Sequence, residues 1–236
     1  SWTTLVDLGT GTAVLSGTPD NDDVGTHSVV LTATDASGDS STQSYTLTVA
    51  NSNDAPTVAT ALTDGSIAED AAYSLDVNGM CTDVDASDTM TYSISGAPST
   101  ITISGTTISG TPVNADVGTH TITVTCTDSG QASASDDYDL TVTNTNDAPT
   151  ISSTAVTAVD EDAAYSYTVT AADVDSGDTV TLTGTTVPAW MTFDATTGAL
   201  TGTPTNSEVG SHAVVITAAD VAGASVTDSF TVDVTN

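Results

Sequence analysis

The sequence predicts an all-β fold, antiparallel β-sandwiches strung in tandem as a linear array. Three observations predict it. Fifty of the 236 residues are Thr, a β-branched residue suited to the half-buried pleated surface of a strand. Apolar and polar residues alternate in short runs, and no helical spacing is sustained over a long stretch. The chain also repeats itself about every 92 residues, a period that holds several strands and fits a whole sandwich better than a solenoid unit.

The period is read from recurring strings. Ser/Thr-Gly-Thr-Pro places its glycine at Gly17, Gly110 and Gly202, which are 93 and 92 residues apart. The same step relates Val24-Gly25-Thr26-His27 to Val117-Gly118-Thr119-His120 and Val209-Gly210-Ser211-His212. It also relates Asn53-Asp54-Ala55-Pro56 to Asn146-Asp147-Ala148-Pro149, and Glu69-Asp70-Ala71-Ala72-Tyr73 to Glu161-Asp162-Ala163-Ala164-Tyr165.

Each unit then reads in order. The Asn-Asp-Ala-Pro string opens it and a first strand follows. The Glu-Asp pair precedes the second strand, residues 165–171 in the third unit, where Tyr165, Tyr167, Val169 and Ala171 share a face. That strand stops at Asp173-Val174-Asp175-Ser176-Gly177-Asp178, a turn-rich acidic loop. The penultimate strand, residues 212–220, sets Val214, Ile216 and Ala218 on one face, and its copies are 27–35 and 120–128. Gly-containing turns near Gly38, Gly130 and Gly223 lead to the last strands, 45–49, 138–142 and 230–234. About seven strands per unit are expected. Because Trp2 falls where Trp190 falls in the third unit, residues 1–52 read as the C-terminal half of a domain, with full domains at 53–145 and 146–236. The remaining strands of the half-domain would leave an open core, completed by upstream chain or by a neighbouring subunit.

Charge narrows the partners. The chain has 31 Asp and Glu, no Lys or Arg, and a formal charge of −31. Nucleic acid and anionic membrane are excluded as partners, because both are bound chiefly through Lys and Arg. A cation is what such a chain attracts. No apolar run approaches the roughly 20 residues that span a bilayer.

The strand directions gather the acids. In an antiparallel sandwich the opening Asn-Asp-Ala-Pro, the loop after the second strand and the end of the penultimate strand lie at one edge. This groups Asn146, Asp147, Asp173, Asp175 and Asp220 from three separate stretches, and Glu69, with Asp70 beside it, faces them from the opposite end of the preceding unit. Six or seven oxygen-bearing side chains without a compensating Lys or Arg repel one another. A set of that size and hardness suits calcium, which takes about six to eight oxygens in flexible geometry. The alternative is a set of solvated loop carboxylates on a very soluble protein.

The Asn-Asp-Ala-Pro strings, the Asp-Val-Asp loop, the Glu before the second strand and the Thr217-Ala218-Ala219-Asp220 run resemble cadherin-like repeats. More closely, Pro188-Ala189-Trp190-Met191-Thr192-Phe193-Asp194 followed by Gly202-Thr203-Pro204 and Val209-Gly210 resembles the dystroglycan-type cadherin-like, or putative-Ig, repeats of large bacterial and archaeal surface proteins. The resemblance covers essentially the whole chain. It implies Ig-like (cadherin-like) sandwiches, extracellular placement and calcium at each interdomain junction, with Asn53, Asp54, Asp83, Asp85 and Asp128 serving the first. One departure is clear: the Asp-Arg-Glu motif of cadherins is replaced here by Gly-Thr-Pro-x-Asn, so one or two ions per junction are expected.

Cys81 and Cys126 lie on inward-facing positions, Cys81 two residues before Asp83 and Cys126 two before Asp128, where the third unit has Ala171 and Ala218. A disulfide between them fits an extracellular protein; two small buried thiols are the alternative. His27, His120 and His212, one per unit, read as structural, as does the aromatic pair Trp190 and Phe193. Paired carboxylates that recur at every junction do not mark an enzyme cleft, so no enzyme is expected. The expected function is an extracellular stalk or fibre region, structural or adhesive, partnered by copies of itself, by adjacent repeats, or by a surface glycan or protein. A carbohydrate-binding accessory module and a strand-exchange polymer subunit are the alternatives.

Overall fold

The structure, a computed structural model, describes residues 1–9 and 11–236. Among these residues there is no α-helix; strands are punctuated by three single 3-10 turns, Asn21–Asp23, Asn114–Asp116 and Asn206–Glu208. The chain is all-β, its strands paired antiparallel with one exception among the described residues. It divides into two compact units. One comprises Ser1–Ser66, Ala72–Thr111 and Thr119–Thr141; the other comprises Ile67–Ala71, Pro112–Gly118 and Val142–Asn236.

In the second unit, Ala158–Asp160, Ser225–Thr235, Gly210–Ala219 and Thr181–Thr186 form a four-stranded sheet in that order. Tyr165–Thr168, Ala199–Gly202 and Met191–Asp194 form a three-stranded sheet. The long hairpin pairs Gly210 with Val234 through to Ala219 with Ser225 without a slip. Period-2 patterning turns Val214, Ile216 and Ala218 inward on one of its strands, all fully buried, and Val232 and Val234 on the other. Tyr165, Tyr167, Val169, Met191 and Leu200 complete the core. One pairing is parallel, Ala158–Asp160 beside Asp233–Thr235.

In the first unit, residues 72–111 and 119–141 repeat most of this order around Val77, Ile101, Ile108, Ile122, Val124, Tyr138 and Leu140, all buried. A disulfide joins Cys81 to Cys126. Residues 1–50 supply two hairpins, Thr3–Asp7 with Ala13–Gly17 and Gly25–Thr34 with Ser40–Val49. On them Leu5, Val6, Val14, Val30 and Tyr45 are exposed.

Two features differ from the sequence expectation. Each full repeat has nine strands, because the first strand is split in two, as Thr57–Val58 with Gly65–Ala68 and Thr150–Ile151 with Ala158–Asp160, and the second is interrupted: Val77 and Val169 turn their N–H groups to the carbonyls of Thr106 and Gly198 instead of continuing the ladder. The last strands start well before their apolar alternation, at Ser40, Ser133 and Ser225. Their first halves are Ser-, Thr- and Asp-rich and at most half-buried, so hydrogen bonding rather than apolar burial holds them.

The recurring Ser/Thr-Gly-Thr-Pro glycine has a packing cause. A Cβ at Gly17, Gly110 or Gly202 would sit 2.1, 2.0 or 2.4 Å from the carbonyl oxygen of Trp2, Thr100 or Trp190. Only a residue without a side chain lets these segments approach so closely.

Candidate cation site at the acidic loops

The loop after the second strand is shaped by its own aspartates. Asp83 Oδ1 accepts the Asp85 N–H at 2.9 Å, and Asp173 Oδ1 accepts the Asp175 N–H at 2.9 Å. Each is an Asx turn, the local bond that favours aspartate in loops. Asp88 and Asp178 then donate their N–H groups to the carbonyls of Asp85 and Asp175. The result is an Asp-x-Asp-x-x-Asp loop in which one carboxylate oxygen from each acid lies within 4.8 Å of the others.

The opening Asn-Asp is tied to this loop and to the end of the penultimate strand. Asn53 donates through Nδ2 to Asp128 Oδ2 at 3.0 Å, and Asn146 to Asp220 Oδ2 at 2.8 Å. The N–H groups of Asp54 and Asp147 each donate at 2.8 Å, to Asp85 Oδ2 and Asp175 Oδ2. The other oxygens of Asp128 and Asp220 accept N–H groups of their own hairpin turns, from Ala132 and Ala224. Asp128, Asp220, Asn53 and Asn146 therefore form brackets between the opening segment and the hairpin. Neither aspartate is among the three close carboxylate groups found in the described residues.

Glu69 completes a second kind of group, with Asp147 and Asp175, again within 4.8 Å. It is 2% exposed. Its Oε1 accepts the Thr145 N–H at 2.8 Å, while its Oε2 is buried and has no partner. Buried carboxylate oxygens without a partner also occur at Asp83, Asp85, Asp88 and Asp173. Such atoms lose their hydration with nothing in return, which costs free energy unless a positive group completes them.

The titration behaviour reflects this crowding. Desolvation, followed by the charges of Asp175, Asp70 and Asp173, raises the Asp147 pKa. Desolvation and then Asp173, Asp220 and Asp175 raise that of Asp178. Asp220 moves down, chiefly because the Asn146 amide donates to it.

The donor set fits a hard divalent cation. All ligand atoms are oxygens, with no His or Cys among them. Oxygens that share a calcium at 2.3–2.6 Å stand up to about 5 Å apart, which matches the observed spread. Calcium would supply the positive charge that the orphaned oxygens lack.

Sequence reasoning missed three residues here. Asp88 and Asp178 stand three positions after the second aspartate of each Asp-Val-Asp, and that shared spacing was the available signal. Asn114, in the Gly-Thr-Pro-x-Asn stretch, donates through Nδ2 to Asp175 Oδ1 at 2.8 Å. Its first-repeat counterpart Asn21 donates to Asp54 Oδ2 at 2.9 Å. The histidines act elsewhere: His27 and His212 bond through Nε2 to the carbonyls of Asp23 and Glu208 and lie edge-on to Trp2 and Trp190.

A family model described as Putative Ig domain matches the chain three times, over residues 6–50, 55–143 and 148–235. The chain belongs to this family. Among solved structures, these Ig-domain repeats are similar to mouse cadherin-23 EC22-24, with 19% identity and a TM-score of 0.54, covering 99% of this chain and 82% of that one. They are also similar to PcdhgB3 EC1-4, with 20% identity and a TM-score of 0.51, covering 98% and 63%. An endo-fucoidan hydrolase from glycoside hydrolase family 107 matches with 25% identity and a TM-score of 0.38, and this chain spans 37% of its length. No curated protein matches the Ig-domain chain. The cadherin matches establish the fold, tandem cadherin-like sandwiches, and the family match is consistent with a structural or adhesive repeat region.

Proposed function

We propose that this chain is an extracellular repeat region, a stalk or fibre segment, in which calcium at the acidic loops fixes each repeat to the next. Its domains on this reading are residues 1–52, 53–145 and 146–236, and its partners are adjacent repeats or further copies of itself. The reading rests on one observation above the rest: Glu69, buried and with a partnerless oxygen, closes on Asp147 and Asp175 of the following repeat. Asn53, Asp54, Asp83 and Asp85 serve the first junction and Asn146, Asp147, Asp173 and Asp175 the second, with Asp128 and Asp220 bracing the loops. The disulfide and the family match support an extracellular setting. No catalytic role is assigned.

Without a cation the gathered carboxylates repel and the junction loosens; with it they become a single linked cluster. Small-angle scattering in millimolar calcium, then in excess EDTA at constant ionic strength, with magnesium as control, tests this. A maximum dimension that sharpens and lengthens with calcium alone supports the reading. A profile and melting temperature indifferent to calcium would sink it.

A further inference from the structure

We infer that Asn78, at the Asn78-Gly79 tip of the middle repeat, is a site of spontaneous deamidation through a succinimide, and that its turn leaves the folded chain open to this reaction. The inference involves no metal ion and does not depend on the calcium reading.

Asn78-Gly79 is the one Asn-Gly pair in the sequence, and the structure shows it to be an insertion. Val77 and Val169 hold matching places, as their bonds to the Thr106 and Gly198 carbonyls show. Cys81 and Ala171 match through their pairing with Val58 and Ile151. Three residues separate the first of these pairs of positions and one separates the second, so the middle repeat carries two extra residues here. Asn78 and Gly79 are exposed, whereas Val77, Met80 and Cys81 beside them are buried. The Met80 N–H donates to the Val77 carbonyl at 3.0 Å, and the Met80 carbonyl accepts the N–H groups of Ala59 and Thr60. Buried anchors thus hold a turn whose two middle residues stand in solvent. Gly79 has a φ of 78°, the positive value that the third residue of a type II turn requires. A Cβ built on it would meet nothing within 4 Å.

The chemistry needs an uncrowded backbone nitrogen beside a side-chain amide, with room to close a ring. The Gly79 nitrogen has no side chain next to it and no hydrogen-bond partner among the described residues. The Asn78 backbone N–H donates to Asp76 Oδ1 at 3.0 Å, while its side-chain amide is bonded to nothing among the described residues. The Gly79 nitrogen bonds to Asn78 Cγ, the bond from Cγ to Nδ2 breaks, and ammonia leaves with the Gly79 proton. Water then opens the ring. Attack at Cγ gives Asp; attack at the backbone carbonyl carbon gives isoaspartate, whose main chain runs through Cγ and is one methylene longer. Either product adds one negative charge to the −31 of the chain, in the middle repeat alone. Other asparagines are held: the amides of Asn21, Asn53, Asn114 and Asn146 each donate to an aspartate, and none of them precedes Gly. Asp64-Gly65 is the related acidic pair, but Asp64 Oδ1 accepts the Asp139 N–H and ring closure there expels water instead of ammonia, which leaves the mass unchanged after hydrolysis.

The full chain, incubated at mildly alkaline pH in native buffer and in parallel in urea, is then reduced and cut with chymotrypsin, since trypsin has no Lys or Arg to cut at. Peptide masses locate the amide-to-acid exchange, and methyl transfer by an isoaspartyl methyltransferase marks isoaspartate in the peptide that holds residue 78. Native chain should convert at Asn78 at a rate of the same order as the urea-unfolded chain, releasing one ammonia per chain, and faster as pH rises. On isoelectric focusing the product should run with Asn78→Asp, and Asn78→Gln should form no such band. Conversion in urea with residue 78 intact in the native chain would mean that the turn protects it and would overturn the inference. So would equal conversion at Asn53, Asn114 or Asn146. Because the native and urea arms both use the wild-type chain, they decide the matter even if a variant fails to fold.

Discussion

Reduction of the Cys81–Cys126 disulfide should destabilise the middle repeat and leave the final repeat untouched. The bridge closes 45 residues. A loop of that length removes about 13 cal/mol/K from the unfolded ensemble, ~4 kcal/mol at 25 °C, and strain or residual structure lowers this to about 2–4 kcal/mol. For a domain near 90 residues each kcal/mol moves the midpoint by roughly 4–8 °C, so the expected fall is about 10–30 °C. The chain carries its own control, since Ala171 and Ala218 occupy the matching positions of the final repeat. Differential scanning calorimetry with and without reductant, and of Cys81→Ala with Cys126→Ala, reads the two transitions. If both move together, the repeats melt as one and the assignment of the stabilisation to one closed loop is refuted. If neither moves, the bridge is absent or energetically idle in solution.

Three further outcomes are expected. Gly202→Ala forces a Cβ onto the Trp190 carbonyl and should cost about 1–3 kcal/mol, by urea denaturation followed at the tryptophan; a neutral result would remove the packing explanation of the recurring glycine. Leu200→Ala empties a fully buried position between two strands and should cost about 2–5 kcal/mol; a loss below 1 kcal/mol would mean that the core collapses around it. Tyr165 is pushed up to about 12 from 10.0, first by burial and then by the nearby Tyr167 and Asp228. Its folded form therefore keeps its proton longer than the unfolded chain does. The stability this gives is whole below pH 10 and is lost as pH rises toward 12. Absorbance at 295 nm should show late tyrosine ionisation coincident with unfolding, and Tyr165→Phe should lessen the pH dependence; early, reversible ionisation without unfolding would contradict it.

The core and the candidate site were legible to different degrees. Val214, Ile216 and Ala218 could be placed on one face because strand alternation is a local rule, and the structure buries all three. The recurring Gly17, Gly110 and Gly202 marked the period, yet their reason, contact with a carbonyl 10 to 15 residues upstream, is a fact of packing. Polar halves of the long hairpins left no apolar signature, so Ser133 and Ser225 were not recognised as strand starts. In the site, the Asn-Asp and Asp-Val-Asp strings carried a recognisable spacing. Asp88 and Asp178 did not stand out, because an aspartate beside Ser or Gly in a turn is ordinary; a partnerless buried oxygen marks Asp88, and only its nearness to Asp173 and Asp175 marks Asp178. Asn114 was hidden for another reason: it meets Asp175 from 61 residues away, which no local pattern reports.

The parallel pairing of Ala158–Asp160 with Asp233–Thr235 bears on how such a repeat carries load. The first of these segments follows the short opening strand Thr150–Ile151, and the second is the last strand of the repeat. Tension along the backbone slides two strands that run the same way past each other, so their hydrogen bonds must yield together rather than one after another. A hairpin pulled at its open end would instead peel bond by bond. The resistance of the repeat under pull is then set by its rate of opening, and those few residues, rather than the long hairpin beside them, form the latch.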